Sequence, residues 1–154
     1  MEQKKKILLL TTGGTIASVA GGEGLEPHRA GIMDGQIDEL RAYYDITIRD
    51  IMCLDSSNIQ PEQWQQIARV IFDARKDFDG IVVSNGTDTM AYTASALSFI
   101  LAGLDKPVVL TGSQIPLSEV RSDGRDNLIT SILIASEGVA CEVCLYFSGK
   151  LLRG

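Results

Sequence analysis

Leu8-Leu9-Leu10-Thr11-Thr12-Gly13-Gly14-Thr15-Ile16-Ala17 is the stretch on which the fold turns. Ile7 and the three leucines form a short apolar run, as a strand buried on both faces requires. The run breaks into Thr-Thr-Gly-Gly-Thr. Glycine accepts positive φ and lets the backbone approach a partner closely. Two glycines in a row bring the next side chain, Thr15, back over the strand end. In open α/β sheets that end is where ligands bind. A tight strand-to-helix turn with a capping threonine is the plainer reading of the same residues.

The pattern repeats downstream. Ile46–Cys53, Gly80–Ser84, Pro107–Thr111 and Cys141–Phe147 read as strands, and a short helix is predicted over 36–43. Helices are predicted over Glu62–Lys76, Met90–Ala102 and Arg125–Glu137. Trp64, Ile67, Ala68, Ile71 and Phe72 fall at helical spacing, and Pro61 suits a first helical position. Strands alternating with helices predict an α/β domain: a three-layer, mostly parallel sheet with helices on both faces and right-handed crossovers. Ser18–Gly35 is too rich in glycine for a helix interior and reads as a binding loop, a lid or a plain connector. Residues 148–154 read as a turn entering another extended segment. Trp64 is expected to pack a helix on the sheet. Tyr43-Tyr44 and the pair Tyr92 and Phe99, seven apart on one helix face, are expected to be packing residues as well.

Composition narrows the function classes. The formal net charge is −6, the wrong sign for a nucleic-acid footprint, and Lys4-Lys5-Lys6 reads as a solvated lead-in to the first strand. The apolar runs fall far short of the roughly 20 residues of a membrane span. Ile7–Leu10 is too short for the apolar core of a signal peptide, so a cytoplasmic location is expected. Three cysteines, Cys53, Cys141 and Cys144, suggest free thiols. Cys53, near a strand end, is expected in the core. Cys141 and Cys144 lie three apart in a predicted strand, which sends their sulfurs to opposite faces and argues against a metal or redox pair.

In this architecture the strand-exit loops line one sheet edge. They contribute Thr11, Thr12 and Thr15; Asp55, Ser56, Ser57 and Asn58; Asn85, Thr87, Asp88 and Thr89; and Thr111, Ser113 and Gln114. Any one set could be helix caps. Together they predict a pocket of hydroxyls, backbone N–H groups and carboxylates, suited to a small zwitterion and to a hydroxyl nucleophile. A Ser-His-Asp triad does not fit, because the one histidine, His28, reads as a solvated loop residue beside Pro27. The nucleophile would need another activator and backbone N–H groups for its oxyanion. Thr12-Gly13-Gly14-Thr15 has neither nucleotide-binding glycine spacing.

Thr11-Thr12-Gly13-Gly14-Thr15-Ile16-Ala17, Asp55-Ser56-Ser57-Asn58, Asn85-Gly86-Thr87-Asp88-Thr89-Met90 and Thr111-Gly112-Ser113-Gln114-Ile115-Pro116 together resemble the bacterial-type asparaginases, most closely the cytoplasmic type I branch. The resemblance runs from Lys6 to the last residue. It implies a flavodoxin- or Rossmann-like domain and hydrolysis of L-asparagine to L-aspartate and ammonia, with no cofactor and no metal. L-glutamine is the competing substrate. Carried over by motif, Thr15 is the nucleophile, Thr87 the second catalytic threonine and Asp88 the partner of the substrate ammonium. Ser56, with Asp55 and Ser57, holds the substrate carboxylate and its surroundings, the Gly112-Ser113 backbone lines the amide end, and Gly86 belongs to the substrate-binding set with Thr87 and Asp88. Leu25 stands where many relatives carry a tyrosine, and Asn85 where many carry a histidine. Family members are longer, with a smaller second domain, and assemble as homo-oligomers, dimers or tetramers, whose neighbouring subunits complete each site. Residues 1–154 are accordingly expected to be an N-terminal catalytic domain, inactive alone, because the family's catalytic lysine follows the final Arg-Gly. No nucleic acid or membrane partner is implied. The competing readings are an asparaginase-like subunit of a tRNA amidotransferase and a silent amino-acid-binding or assembly domain.

Overall fold

The computed structural model describes residues 3–21, 24–27 and 31–154. In chain order the elements are β1 (Lys6–Gly13), β2 (Ser18–Gly21), β3 (Gly24–Pro27), α1 (Gly31–Ile37), β4 (Asp45–Leu54), α2 (Pro61–Ala74), β5 (Gly80–Ser84), α3 (Met90–Ile100), β6 (Val108–Thr111), α4 (Gly124–Glu137), β7 (Val143–Phe147) and β8 (Lys150–Arg153). Six strands form one sheet in the order β4-β1-β5-β6-β7-β8. All neighbours are parallel except the last pair, β7 and β8. From β1 the chain goes to β4 on one side, then returns to β5 on the other. The β1–β5 boundary is therefore the topological switch point, where open α/β sheets bind their ligands.

Alternate residues of the strands serve opposite faces. Leu8, Leu10, Ile81 and Val83 meet Ile67 and Ile71 of α2 and Leu97 of α3 on one face. Ile7, Leu9, Val82 and Val109 meet Leu128 and Ile132 of α4 and Met33 of α1 on the other. Ile7 to Leu10 are all 0% exposed, and each such side chain is worth about 1.5–3 kcal/mol of burial. The expected three-layer α/β architecture is the one observed. Among the described residues no helix is long and apolar enough to cross a membrane.

Several local expectations fail for identifiable reasons. The segment expected to be loop from Ser18 to Gly35 contains the antiparallel hairpin β2–β3 and most of α1, and His28 lies outside the described residues. Cys53 is exposed, because β4 is an edge strand and one of its flanks faces solvent. Strand β7 begins only at Val143, so Cys141 precedes it and is exposed while Cys144 is buried. Tyr43 is exposed, and only Tyr44 packs against the core. Trp64 joins helix to helix, its indole N–H donating to the Thr93 hydroxyl of α3 at 3.0 Å. Tyr92 and Phe99 do share a helix face, but it is the outer one, with exposures of 67% and 85%. A spacing of seven defines a face without saying which way it points. Met90, Thr93, Ala94 and Leu97 won the sheet side.

Candidate active site

The loops leaving β1, β4, β5 and β6 are bound to one another by close backbone approach. Gly14 has φ +86°, and a Cβ there would lie 2.5 Å from the Cα of Gly86. A Cβ on Gly86 would in turn lie 2.5 Å from the Cβ and Oγ of Ser56. Only glycines allow this stack of three loops, since such distances are below any real contact and positive φ is strained for other residues. Gly112 backs onto the Asn85 carbonyl in the same way, at 2.4 Å from its absent Cβ. The Leu117 N–H donates to the Ile16 carbonyl at 3.3 Å, joining the β6 exit to the β1 exit.

Thr15 follows Gly14 and opens a 3-10 turn, Thr15–Ala17. It is half-buried, and the next residue, Ile16, is wholly buried in the core. Ile16 thus anchors the turn that presents Thr15. Thr87 is half-buried and Asp88 exposed, both directly after buried Gly86. Ser56 is 4% exposed and begins a second 3-10 turn, Ser56–Asn58. Gly112 and Ser113 are both buried, and the Ser113 hydroxyl oxygen has no hydrogen-bond partner among the described residues. Thr15, Ser56, Thr87, Asp88, Gly86 and the Gly112-Ser113 backbone therefore stand on loops whose backbones touch at one edge of the sheet.

Several other polar residues of these loops are occupied elsewhere. Thr11 donates to Asp50, Thr12 to the Ser84 carbonyl and Thr111 to the Tyr146 carbonyl; these hydroxyls stitch the sheet. Asp55 is exposed and caps its own turn, accepting from the Ser57 N–H at 2.9 Å and the Ser57 hydroxyl at 2.8 Å. Those two bonds hold its carboxyl below the usual range, as hydrogen bonds to a charged form must. Thr89 sits at the N-cap of α3 without capping it and donates instead to the Ser56 carbonyl. Asn85, fully buried, donates to the Gly86 carbonyl at 2.8 Å. It steadies the glycine before Thr87.

Two residues outside these sequence motifs shape the fourth loop. Asp123 accepts from the backbone N–H groups of Gln114 and Ile115, and Asn127 donates to the Gly112 carbonyl. Asp123 lies just before the helix predicted over Arg125–Glu137, and Asn127 lies in it. Their spacing of four across a helix start was the one available signal.

Fold and site define an α/β domain that gathers hydroxyls, amides and a carboxylate on the strand-exit loops at the switch point of its sheet. The chain belongs to the family described as Asparaginase, N-terminal, whose model matches residues 6–154. It is 46% identical to L-asparaginase 1 of Escherichia coli (strain K12), over 99% of this chain and 46% of that protein. The thermostable L-asparaginase from Thermococcus kodakarensis superposes with a TM-score of 0.88 at 42% identity, over 96% of this chain and 45% of that one. A probable cytoplasmic L-asparaginase from Campylobacter jejuni gives 0.86 at 32% identity, over 97% and 46%. The chain spans about half the length of the relatives it matches.

Proposed function

We propose that the natural protein carrying this chain is an L-asparaginase, hydrolysing L-asparagine to L-aspartate and ammonia. The observation that carries this reading is the Gly14–Gly86–Ser56 stack, which places Thr15, Thr87 and the Ser56 turn on touching loops. Thr15 Oγ attacks the side-chain amide carbon of the substrate. Its proton passes into the Thr87–Asp88 group and on to the departing nitrogen. The C–N bond breaks, ammonia leaves and an ester to Thr15 remains. Water then attacks the ester, returns a proton to Thr15 and releases L-aspartate. Backbone N–H groups of the glycine-containing loops meet the oxyanion. Asp88 holds the substrate ammonium. Ser56 holds the carboxylate, with Asp55 and Ser57 fixing its turn, and Gly86 and the Gly112-Ser113 backbone close the two ends of the substrate.

In this reading a lysine partners Thr87 and Asp88, as in the family, and a neighbouring subunit completes the site. The reading thus includes a homo-oligomer, a dimer or tetramer, a cytoplasmic location, and no nucleic-acid or membrane partner. The amidotransferase-subunit reading has less behind it, since the relatives set out above are asparaginases. The test is ammonia release from L-asparagine by the natural full-length protein. Thr15→Ala is expected to lower turnover on the order of 10⁴-fold or more. Near-normal turnover in that variant would remove Thr15 from the role of nucleophile.

A further inference from the structure

The loop after β6 is held from behind by a carboxylate that the reaction does not use. Asp123 precedes α4 but makes no cap to it. Its two oxygens each accept the Gln114 N–H at 3.1 Å, and Oδ1 also accepts the Ile115 N–H at 3.0 Å. Asn127, one helical turn on and only 2% exposed, donates to Asp123 Oδ2 at 3.3 Å and to the Gly112 carbonyl at 3.0 Å. Ser122 completes the frame, donating to the Ile115 carbonyl at 2.8 Å and accepting the Gly124 N–H at 3.0 Å. Gly124 lets α4 start against the loop, since a Cβ there would lie 3.0 Å from the Ser113 Cβ.

This frame ties the peptide groups on both sides of Ser113 and none of Ser113 itself. Among the described residues, the Ser113 N–H and C=O have no hydrogen-bond partner. The loop cannot retreat on its other side, because Gly112 already rests on the Asn85 carbonyl. A charge-assisted acceptor bonded to several N–H groups is a strong fixture; it fixes the two peptide units flanking Ser113 through the Gly112 carbonyl and the Gln114 N–H, and leaves the Ser113 N–H and C=O of those same units unbonded.

We propose that Asp123 and Asn127 are positioning residues that set the depth of the Ser113 peptide, and through it the length of substrate side chain the site accepts. This rests on the functional reading above, in which that peptide lines the amide end. L-asparagine and L-glutamine differ by one methylene, and a difference of that size is worth about tenfold or more in discrimination. Loosening the frame should blur it.

The experiment compares wild type, Asp123→Asn and Ser122→Ala in the natural full-length protein, with Asp126→Asn, an exposed neighbour on α4 outside the frame, as control. Asp123→Asn replaces one acceptor oxygen with a donor facing an N–H. It is expected to raise KM for L-asparagine, to cut the asparagine-to-glutamine ratio of kcat/KM by about tenfold and to speed amide exchange at Gln114 and Ile115. Ser122→Ala, which removes only the outer latch, should move the same ratio by about twofold and still fold. A purely structural role would lower the folded fraction and scale both substrates alike. An active wild type whose Asp123→Asn and Ser122→Ala variants keep the ratio and KM overturns the proposal alone. If Asp123→Asn does not accumulate, Ser122→Ala decides. A wild type that releases no ammonia from either amide sinks the functional reading and this one with it.

Discussion

The Thr89 hydroxyl donates to the backbone carbonyl of Ser56 at 3.0 Å, tying the start of α3 to the turn that follows β4. Threonine at a helix N-cap ordinarily bonds its own helix. Here the same hydroxyl is diverted sideways, and the loop that carries Gly86 and the turn that carries Ser56 become one piece. Thr89→Val keeps the shape and removes the bond. It is expected to cost about 0.5–1.5 kcal/mol of stability and to raise KM for L-asparagine in the full-length protein while leaving kcat less affected, because Ser56 is the proposed carboxylate-binding group. Denaturant melts and steady-state kinetics check both.

Gly14→Ala is expected to be more damaging than Gly86→Ala. At Gly14 the added methyl meets unyielding backbone, the Gly86 Cα at 2.5 Å and the Asn85 carbonyl carbon at 3.4 Å, and the φ of +86° is strained for alanine. At Gly86 the methyl meets the Ser56 side chain, which can yield at the expense of the site. Left-handed strain and overpacking together cost Gly14→Ala about 2–4 kcal/mol. Gly86→Ala should lose less stability and still lose substrate binding. Equal stability losses in thermal melts would contradict this ordering.

The outer face of α3 carries Tyr92, Phe99 and Ile100, exposed by 67%, 85% and 49%, and Met90–Ile100 holds no charged residue. Exposed apolar surface of this kind marks an interaction site or an aggregation liability. The 154-residue chain by itself is expected to self-associate, and Phe99→Ser to weaken that association. Light scattering over a range of concentrations checks it; a concentration-independent monomer would rule it out.

Asp55 gives a pH dependence whose sign is defined. Its carboxyl is held low by the Ser57 N–H and hydroxyl, so the folded-state pKa lies below the unfolded value of about 3.9. The stabilisation is complete above the unfolded pKa and is lost as pH falls through the folded one. Above about pH 5 the Ser56–Asn58 turn should be indifferent to pH. The Ser57 amide resonance should titrate below the ordinary carboxylate range, and Asp55→Asn should remove that titration. A midpoint above the usual carboxylate range would contradict the capping role.

The sequence alone determined the sheet. Continuous apolar runs such as Ile7–Leu10 and Gly80–Ser84 can be satisfied only by burial on both faces, and β5 was legible to the residue. It also singled out Thr15, Ser56, Thr87 and Asp88, because polar and glycine residues cluster after each run. Only the tertiary structure decided which hydroxyls remain for a ligand. Thr11, Thr12 and Thr111 look like Thr15 in sequence, yet Thr12 and Thr111 donate to carbonyls and Thr11 to the Asp50 carboxylate. The partners are 35 to 72 residues away along the chain, and no local pattern reports them. The same holds for the outward face of α3 and for Asp123, whose carboxylate could have capped its own helix. Secondary structure and candidate chemistry follow from neighbours within a few residues, whereas the direction of a face and the partner of a donor follow from strand order, which brings β1 and β5 together.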